Sequence, residues 1–375
     1  MSGRWSEEKA WAWSRKTPWL RGCNFMGSDC ANRVDQWQEE GFEERLATAD
    51  RELALAASIG FNSVRLVVQF EVWLDQHDGF LARFDRYLDT AAKHGINAMI
   101  TLGNDCCIPK EIYTRPKMGA QHVDWGYHGG VKRSPHMSRP GQIGWNVLDD
   151  PGLRKLFYDM ERELVTRYAH DPRVCIWDIY NEPGNANRWE VTEPYLLDMF
   201  GIARDVDPDQ PLTAGPFDFP AECLDRKRPL PHLAQACLDN SDVISYHSYA
   251  SYDENIRTIA LLKEYGRPLF NTEWLHRIQH NDVREMFPLF YLENIGCYNW
   301  GFVAGLYQTY EPWEGIWQRY EKGEADDVDF TKWQHDLFRP SLRPYDPKEI
   351  EIIRRYCKLA DERFAAHRND NRKKE

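Results

Sequence analysis

Two apolar stretches of the sequence each run up to a glutamate. Residues 177–183 read WDIYNEP and place Glu182 at the end of the first stretch, and residues 269–274 read LFNTEW and place Glu273 near the end of the second. When two carboxyl groups face each other across a glycosidic bond, one can act as general acid and base while the other attacks the anomeric carbon. The pair therefore predicts the chemistry of a retaining glycosidase, provided that the fold brings the two glutamates together.

The residues around Glu182 suit a proton donor. Asn181 supplies an amide beside it, and Pro183 fixes the next backbone angle and cannot continue strand pairing. A carboxyl group at the end of a buried strand, in a crowded and partly apolar site, is expected to have a raised pKa, as a general acid needs. The alternative for Glu182 is a turn with a solvated glutamate, and the alternative for Glu273 is an ion pair of structural use only.

Other polar residues lie in or near the ends of apolar runs. Arg65 stands in a run where an unpaired cation would be costly to bury, so we expect it to pair with Glu273 and keep that carboxylate ionised. His247 and Tyr249 end another run, where the tyrosine hydroxyl can hydrogen-bond the nucleophile and the histidine can orient the site. Trp300 ends the last run, and its ring can form the floor of a sugar subsite. The alternatives are an outward-facing arginine, a structural histidine and a core tryptophan.

The spacing of apolar residues predicts the fold that must position these groups. Eight short apolar runs, several without alternation, are typical of strands buried on both faces of a parallel sheet, and amphipathic stretches between them predict helices. This pattern predicts a single (β/α)8 barrel over residues 1–375. An open doubly wound sheet is the alternative, but the sequence has no G-x-G-x-x-G turn. The predicted strands are residues 20–24, 63–68, 97–102, 174–180, 211–214, 243–247, 268–273 and 296–300.

Helix patterns are clearest at residues 83–94, 153–168 and 350–364, and Pro288 predicts a kink or a late helix start after Asn281. Two connections are too long for simple strand-to-helix loops, namely residues 103–151 after the third strand and 302–345 after the eighth. Both follow strands, so we expect both at the face where the strands end and where barrel enzymes build their sites.

The composition argues against several other classes of function. The net charge of −12 disfavours nucleic-acid binding, and the mixed basic segment 367–375 is predicted to be a frayed tail. No apolar run approaches the ~18 residues of a membrane span, and residues 1–16 lack the apolar region of a signal peptide. Nine cysteines, several in strand-like runs, indicate a reduced chain in the cytoplasm. Cys106 and Cys107 have no second pair at zinc spacing, so no metal is predicted.

Five motifs occur in an order that resembles the signature of clan A glycoside hydrolases, and the cellulase-like family 5 group most closely. They are GFNSVR at 60–65, NEP at 181–183, HSY at 247–249, NTE at 271–273 and Trp300. The resemblance covers about residues 22–300 and implies a (β/α)8 barrel, retention of anomeric configuration and no cofactor. It also implies Glu182 as acid/base, Glu273 as nucleophile and Asn181 near the sugar's 2-hydroxyl. The other residues implied to surround the sugar in the −1 subsite are Arg65, His247, Tyr249 and Trp300.

Two further features concern the substrate. Residues 298–313 and 344–347 resemble a bacterial subgroup often labelled cellulase or xylanase, and Gln308 and Trp313 are expected substrate contacts in that stretch. Many family 5 members carry a histidine at the end of the third strand, whereas this chain has Asn104, Asp105 and Cys106 there. We expect Asn104 or Asp105 to contact a sugar hydroxyl instead.

Several interpretations of the function stay open. The long loops could close a cleft into a pocket, which favours an exo-acting β-glycosidase on oligosaccharides or glycosides over an endo-acting β-glucanase, mannanase or xylanase. A sugar-binding barrel without turnover is a second interpretation, against which the intact glutamate pair counts. A third is a metal-dependent barrel enzyme that uses Asp105, His122, His128 and His136, but the spacing in the histidine-rich segment 121–136 matches no metal motif.

Overall fold

Eight parallel strands form the centre of the fold, in a computed structural model that describes residues 3–132 and 141–372. Every strand boundary lies within two residues of its predicted position, so the eight predicted strands are confirmed. The strands are β1 (Arg21–Asn24), β2 (Ser63–Val67), β3 (Asn97–Asn104), β4 (Val174–Asn181), β5 (Leu212–Gly215), β6 (Ile244–His247), β7 (Leu269–Trp274) and β8 (Gly296–Asn299).

The sheet curls into a barrel with the hydrogen-bonded strand order 5-4-3-2-1-8-7-6. β5 and β6 meet through side chains, because the Ser245 N–H donates to Thr213 Oγ1 at 3.1 Å and the Thr213 hydroxyl donates to Ser245 Oγ at 2.8 Å. Gly215 permits this approach, since a Cβ at that position would lie 3.2 Å from Ser245 Oγ. The predicted (β/α)8 barrel is therefore confirmed.

Helices alternate with the strands and cover the barrel, and none of those described is long and apolar enough to cross a membrane. α11 begins five residues before Pro288, so the predicted late helix start is wrong. The carboxylate of Asp282 accepts from the Arg284 N–H and caps the helix where it begins.

The last helix includes residues 367–372 of the predicted frayed tail, and residues 373–375 lie outside the described part of the chain. The helices are α1 (Glu7–Lys16), α2 (Arg33–Trp37), α3 (Phe42–Ser58), α4 (Phe70–Asp75), α5 (His77–Lys93), α6 (Pro151–Tyr168), α7 (Glu193–Val206), α8 (Ala221–Leu224), α9 (His232–Asn240), α10 (Tyr252–Lys263), α11 (Val283–Glu293), α12 (Glu314–Glu321) and α13 (Pro347–Arg372).

A separate apolar layer fills the amino-terminal end of the barrel. The ring of Trp13 on α1 packs against Phe270 with 6.2 Å between ring centroids, and the hydroxyls of Ser63 and Tyr298 lie 2.8 Å apart inside the barrel. The layer consists of Leu20, Met99, Cys175, Ile176, Val243, Phe270 and Tyr298. It packs the barrel below the carboxyl ends of the strands, which are the face on which the long loops assemble.

Candidate active site

Strand register brings the polar residues to one level at the carboxyl ends of the strands. Asn104 is the register partner of Asn181 between β3 and β4, and His247 is the partner of Glu273 between β6 and β7. Glu182 follows the last residue of β4 with φ at 51°, in the left-handed region that a non-glycine residue rarely adopts. Such strain is typical of functional sites. It accompanies a side chain that lines the central cavity with Glu273.

The two glutamates face each other across His247. One oxygen of each carboxylate and one ring nitrogen of the histidine all lie within 4.8 Å of one another. His247 Nδ1 lies 2.8 Å from Glu182 Oε1 and 3.5 Å from Glu273 Oε2. Retaining glycosidases hold their carboxyl groups ~5–5.5 Å apart, whereas inverting ones leave ~6.5–9.5 Å for a water molecule. The spacing thus suits direct attack by one carboxylate on the anomeric carbon.

Arg65 lies beneath the glutamates, fully buried, and forms the predicted ion pair with Glu273. Its Nη1 is 2.8 Å from Glu273 Oε1, and its Nη2 is 2.6 Å from Asp178 Oδ2. The guanidinium also donates to Asn24 Oδ1 at 2.8 Å and to Asn181 Oδ1 at 2.5 Å. Burial alone would lower the pKa of Arg65, but the carboxylates of Asp178 and Glu273 raise it above its usual value. The outward-facing alternative is therefore wrong, and Glu273 has a permanent cation beside it.

Tyr249 supplies the second contact to Glu273. Its hydroxyl donates to Glu273 Oε2 at 2.8 Å. Burial and the neighbouring negative charge of Glu273 raise the pKa of Tyr249 well above its usual value, so the phenol stays protonated and donates. The tyrosine ring packs edge-on against Trp313, with 5.0 Å between ring centroids. The two oxygens of Glu273 are thus held by an arginine and a tyrosine.

The carboxylate of Glu182 has a different set of neighbours. Asn185 Nδ2 donates to Glu182 Oε2 at 2.6 Å, and the Cys106 thiol donates to the same oxygen at 3.1 Å. Neither contact was predicted from the sequence. Cys106 did carry a signal, because it closely follows the end of the third strand, where other site residues were expected. Asn185 sits in the turn after β4, whose geometry no local pattern specifies.

A cavity of about 840 Å³ opens above the glutamate pair. Eight of the eleven predicted site residues line it: Asn104, Asn181, Glu182, His247, Tyr249, Glu273, Trp300 and Trp313. Residues that the sequence did not indicate also line it, among them Arg33, Phe217, Phe219 and Tyr307. The cavity therefore combines hydrogen-bonding groups at its floor with aromatic rings at its sides, which is the kind of surface a sugar ring packs against.

Asp105 does not reach this cavity. Its side chain is 0% exposed and accepts hydrogen bonds from Arg188 Nε at 2.9 Å, Thr192 Oγ1 at 2.7 Å and the Tyr180 hydroxyl at 2.8 Å. Burial raises the pKa of Asp105 to about 6, although the positive charge of Arg188 and these hydrogen bonds oppose the rise. Of the two candidates at this position, the structure brings Asn104 to the cavity, and Asp105 ties the loop after β3 to the chain after β4.

Gln308 is also buried and joins two loops instead of facing the glutamates. Its Oε1 accepts from the Gly126 N–H at 2.6 Å, and its Nε2 donates to the Asp124 carbonyl at 2.9 Å. Close by, His128 Nδ1 contacts the Glu311 carbonyl at 2.8 Å, and Trp313 Nε1 donates to His128 Nε2 at 3.1 Å. We call residues 119–130 and 305–313 together the loop wall. These bonds join the loop after β3 to the loop after β8.

The loop wall is also attached to the segment after β1. Gln38 Nε2 donates to the Gly119 carbonyl at 3.0 Å, and Asn32 Nδ2 donates to Gln121 Oε1 at 2.9 Å. A Cβ added at Gly130 would lie 2.9 Å from the Leu306 carbonyl, so the two halves of the wall touch. The wall therefore extends from β8 past β1 to β3 on one side of the cavity.

The candidate metal ligands from the sequence do not converge among the described residues. His122 pairs with Asp124 on the surface, His128 belongs to the loop wall, and His136 lies outside the described ranges. Over residues 3–132 and 141–372, the one group with metal-like spacing is Glu182, His247 and Glu273. The cation of Arg65 on Glu273 opposes a second cation there. The nine cysteines, all described, are free thiols.

The amino-acid sequence matches the model of a known protein family. The family model described as Cellulase (glycosyl hydrolase family 5) matches residues 22–303. No curated protein sequence matches the chain.

Among solved structures, the chain is similar to the exo-β-1,4-mannosidase Op5Man5 from Opitutaceae bacterium strain TAV5, with 17% identity and a TM-score of 0.54 over 92% of this chain and 60% of that one. It thus spans less than two thirds of Op5Man5. A family 5 mannosidase from Rhizomucor miehei gives 14% identity and a TM-score of 0.55, over 92% of this chain and 94% of that one. A β-1,4-mannanase from Aplysia kurodai gives 15% and 0.53, over 82% and 91%. Identities this low establish the shared barrel, while the family model spans most of the chain. The chain belongs to glycosyl hydrolase family 5 and is a retaining O-glycosyl hydrolase.

Proposed function

We propose that the chain is an exo-acting β-glycosidase that hydrolyses oligosaccharides or glycosides by double displacement. The observation that supports the mechanism is the distance between the carboxylates of Glu182 and Glu273, whose nearest oxygens lie within 4.8 Å. The observation that favours exo action is the loop wall, which is hydrogen-bonded together on one side of the cavity.

In the first step, Glu273 attacks the anomeric carbon while Glu182 gives its proton to the leaving oxygen. The glycosidic bond breaks, and an ester bond forms between the sugar and Glu273. In the second step, Glu182 takes a proton from water, and the resulting hydroxide breaks the ester. The sugar leaves with its original anomeric configuration, and both carboxyl groups return to their starting states.

The contacts of Glu273 support its role as the nucleophile. The Arg65 cation and the Tyr249 hydroxyl bind one oxygen each, which favours the ionised form and fixes its direction. Asn181 is itself held from two sides, because its Oδ1 accepts from Arg65 and its Nδ2 donates to Asn104 Oδ1 at 2.9 Å. A rigid amide beside the nucleophile suits the contact with the sugar's 2-hydroxyl.

The closed side of the cavity supports exo action. The loop wall covers the sector from β8 past β1 to β3, while the opposite rim carries Phe217, Asp218 and Phe219 after β5. Phe217 is 41% exposed at that rim. A polymer bound in its middle needs an open path on both sides of the scissile bond, and a wall on one side of the cavity favours a short glycone there. Endo action is the competing proposal, and a path past the wall would be needed for it.

A panel of aryl β-glycosides tests the activity. The β-mannoside leads the panel, because two of the similar structures are named as mannosidases, followed by the β-glucoside and the β-xyloside. We expect turnover of at least one of them by the wild-type protein and loss of ~10⁴-fold or more in Glu273→Ala. Tight sugar binding by the wild type with no turnover would favour the non-catalytic barrel.

Product lengths separate the two modes of cleavage. With an end-labelled hexasaccharide of the preferred sugar, exo action releases single units from one end from the first time point. Mid-chain fragments at early times would contradict exo action and leave the glycosidase assignment intact. The location in the cytoplasm also stays a prediction, which cell fractionation would test.

A further inference from the structure

Cys106 touches the carboxylate of Glu182 and has no role in the mechanism above. Its Sγ lies 3.1 Å from Glu182 Oε2, and the residue lines the cavity. We propose that Cys106 is a positioning residue that holds the acid/base carboxylate of Glu182 through a thiol hydrogen bond. The inference rests on the proposed role of Glu182 and adds a group that sets how readily this carboxyl group gives up its proton.

The surroundings of the sulfur orient the thiol. Asn181 Nδ2 lies 3.4 Å and Asn185 Nδ2 lies 3.5 Å from Cys106 Sγ, so two amide donors face the sulfur lone pairs. The Cys106 N–H donates to Asn104 Oδ1 at 2.9 Å, which fixes the backbone at this position. With its lone pairs facing amides, the sulfur has its hydrogen available for Glu182 Oε2.

The thiol is a donor and not a nucleophile. Burial raises the pKa of Cys106 well above its usual value, and the negative charges of Glu182 and Glu273 raise it further. The group therefore stays protonated at neutral pH. The reactive form of cysteine is the thiolate, so this sulfur is unsuited to attack or to ready oxidation.

A hydrogen bond donated to an ionised carboxylate stabilises the ionised form and lowers the pKa of the carboxyl group. Removing the thiol should therefore let the protonated form of Glu182 persist to higher pH. Several titratable and charged groups share this cavity with Glu182. They are His247 at the end of β6, Tyr249 after it, Glu254 on α10, Glu273 on β7, Asp218 from the rim after β5, His128 and Tyr307 from the loop wall, and Arg33, whose positive charge reaches the Cys106 sulfur. None of these is altered in a Cys106 variant, so a change in the pH profile would report on the thiol.

Leaving groups of different basicity test the role. A dinitrophenyl β-glycoside departs with little help from an acid, whereas an unsubstituted phenyl β-glycoside needs proton donation. We expect Cys106→Ala to lower kcat/KM about tenfold for the phenyl glycoside and no more than about twofold for the dinitrophenyl one. The alkaline limb of the phenyl kcat/KM profile should move up by about half a pH unit.

Two variants serve as controls. Cys106→Ser keeps a donor of similar size, and it should restore the phenyl activity to within about threefold of wild type. Cys107→Ala alters the neighbouring thiol, which donates to the Asp105 carbonyl at 3.1 Å and not to Glu182, and it should leave the pH limb in place. The proposal would be overturned if Cys106→Ala lowered kcat/KM equally for both glycosides, or if the alkaline limb of its pH profile stayed at the wild-type position.

The same two glycosides distinguish this inference from the proposed function. Glu182→Ala should lose far more activity on the phenyl glycoside than on the dinitrophenyl one, whatever the Cys106 variants do. If Glu182→Ala shows this selective loss and Cys106→Ala does not, the mechanism stands and the positioning role fails. If Glu182→Ala loses both activities equally, the acid/base assignment itself fails.

Discussion

The two carboxylates at the centre of the site are held by different kinds of partner. Glu273 contacts a cation and a phenol, whereas Glu182 contacts an amide, a thiol and a histidine. The sequence predicted both glutamates and Tyr249 because each stands at or near the end of an apolar run, and Arg65 because an unpaired cation inside such a run would be costly to bury. Asp178 could not be recognised, since its pairing with Arg65 depends on the register between strands that are distant in sequence. Cys106 follows the end of the third strand, but its contact with Glu182 also joins residues that are distant in sequence.

Tyr249→Phe removes the hydroxyl that donates to Glu273 and keeps the ring. Hydrogen bonds to charged groups contribute ~1.5–3 kcal/mol, so we expect kcat/KM to fall about 10- to 100-fold. Steady-state kinetics on the preferred aryl glycoside would measure this loss. Tyr252→Phe, at an exposed tyrosine on α10, should stay within about twofold of wild type. Similar losses in both variants would rule out the hydrogen bond as their cause.

Arg65→Met leaves the carboxylates of Asp178 and Glu273 buried without their cation. Breaking a buried ion pair typically costs ~3–5 kcal/mol, so the free energy of unfolding should fall by about that amount. Urea denaturation would measure it. Arg86→Met, which breaks a surface ion pair with Glu43, should cost about 1 kcal/mol or less. Equal effects of the two substitutions would contradict the buried network.

At the scale of elements, strands were predictable and loop contacts were not. Each strand is a compact apolar run, so local composition locates it to within two residues. The helix α11 tolerates Pro288 in its interior, where its packing against the barrel outweighs the local preference against proline. The loop wall depends on pairs such as Gln308 with Gly126, which are distant in sequence and invisible to any local pattern.

Gln308→Ala removes the side chain that links the two halves of the loop wall. Without it, the segment 119–132 should open more often, and trypsin should cleave after Lys117 and Lys132 several-fold faster. Because wall residues such as His128 and Trp313 line the cavity, we also expect KM to rise more than kcat falls. Gln235→Ala on α9, far from the wall, should leave the cleavage rate unchanged. If trypsin cleaved Gln308→Ala at the wild-type rate, the loop wall would be held by other contacts.

At the scale of the whole molecule, the barrel was predictable because eight apolar runs alternate with amphipathic helices. The particular hydrogen bonds between β5 and β6 were not, since they involve the side chains of Thr213 and Ser245. Two buried histidines next to the loop wall were also not predicted from the sequence. His276 and His335 are fully buried, and their rings pack beside Tyr249 and Trp313. Burial lowers the pKa of His276 to about 3.

That lowered pKa predicts a dependence of stability on acid. An unfolded histidine takes up a proton below pH ~6.5, whereas His276 stays neutral in the folded chain, so its contribution to stability falls as pH drops from ~6.5 towards 3. Buried carboxyl groups with raised pKa, such as Glu52 at about 7, act in the opposite direction. We expect His276→Phe to remove a slope of ~1.4 kcal/mol per pH unit between pH 6 and 4. Urea unfolding at several pH values measures the slope, and parallel curves for the variant and wild type would contradict the assignment.

Covalent trapping tests the central claim most directly. A 2-deoxy-2-fluoro glycoside of the preferred sugar with a good leaving group should inactivate the enzyme, because the first step proceeds while hydrolysis of the ester is slowed. Mass spectrometry of the digested protein should then find one sugar on Glu273, and Glu273→Ala should remain unlabelled. Labelling of Glu182 or any other residue, or release of product with inverted configuration, would contradict the double displacement.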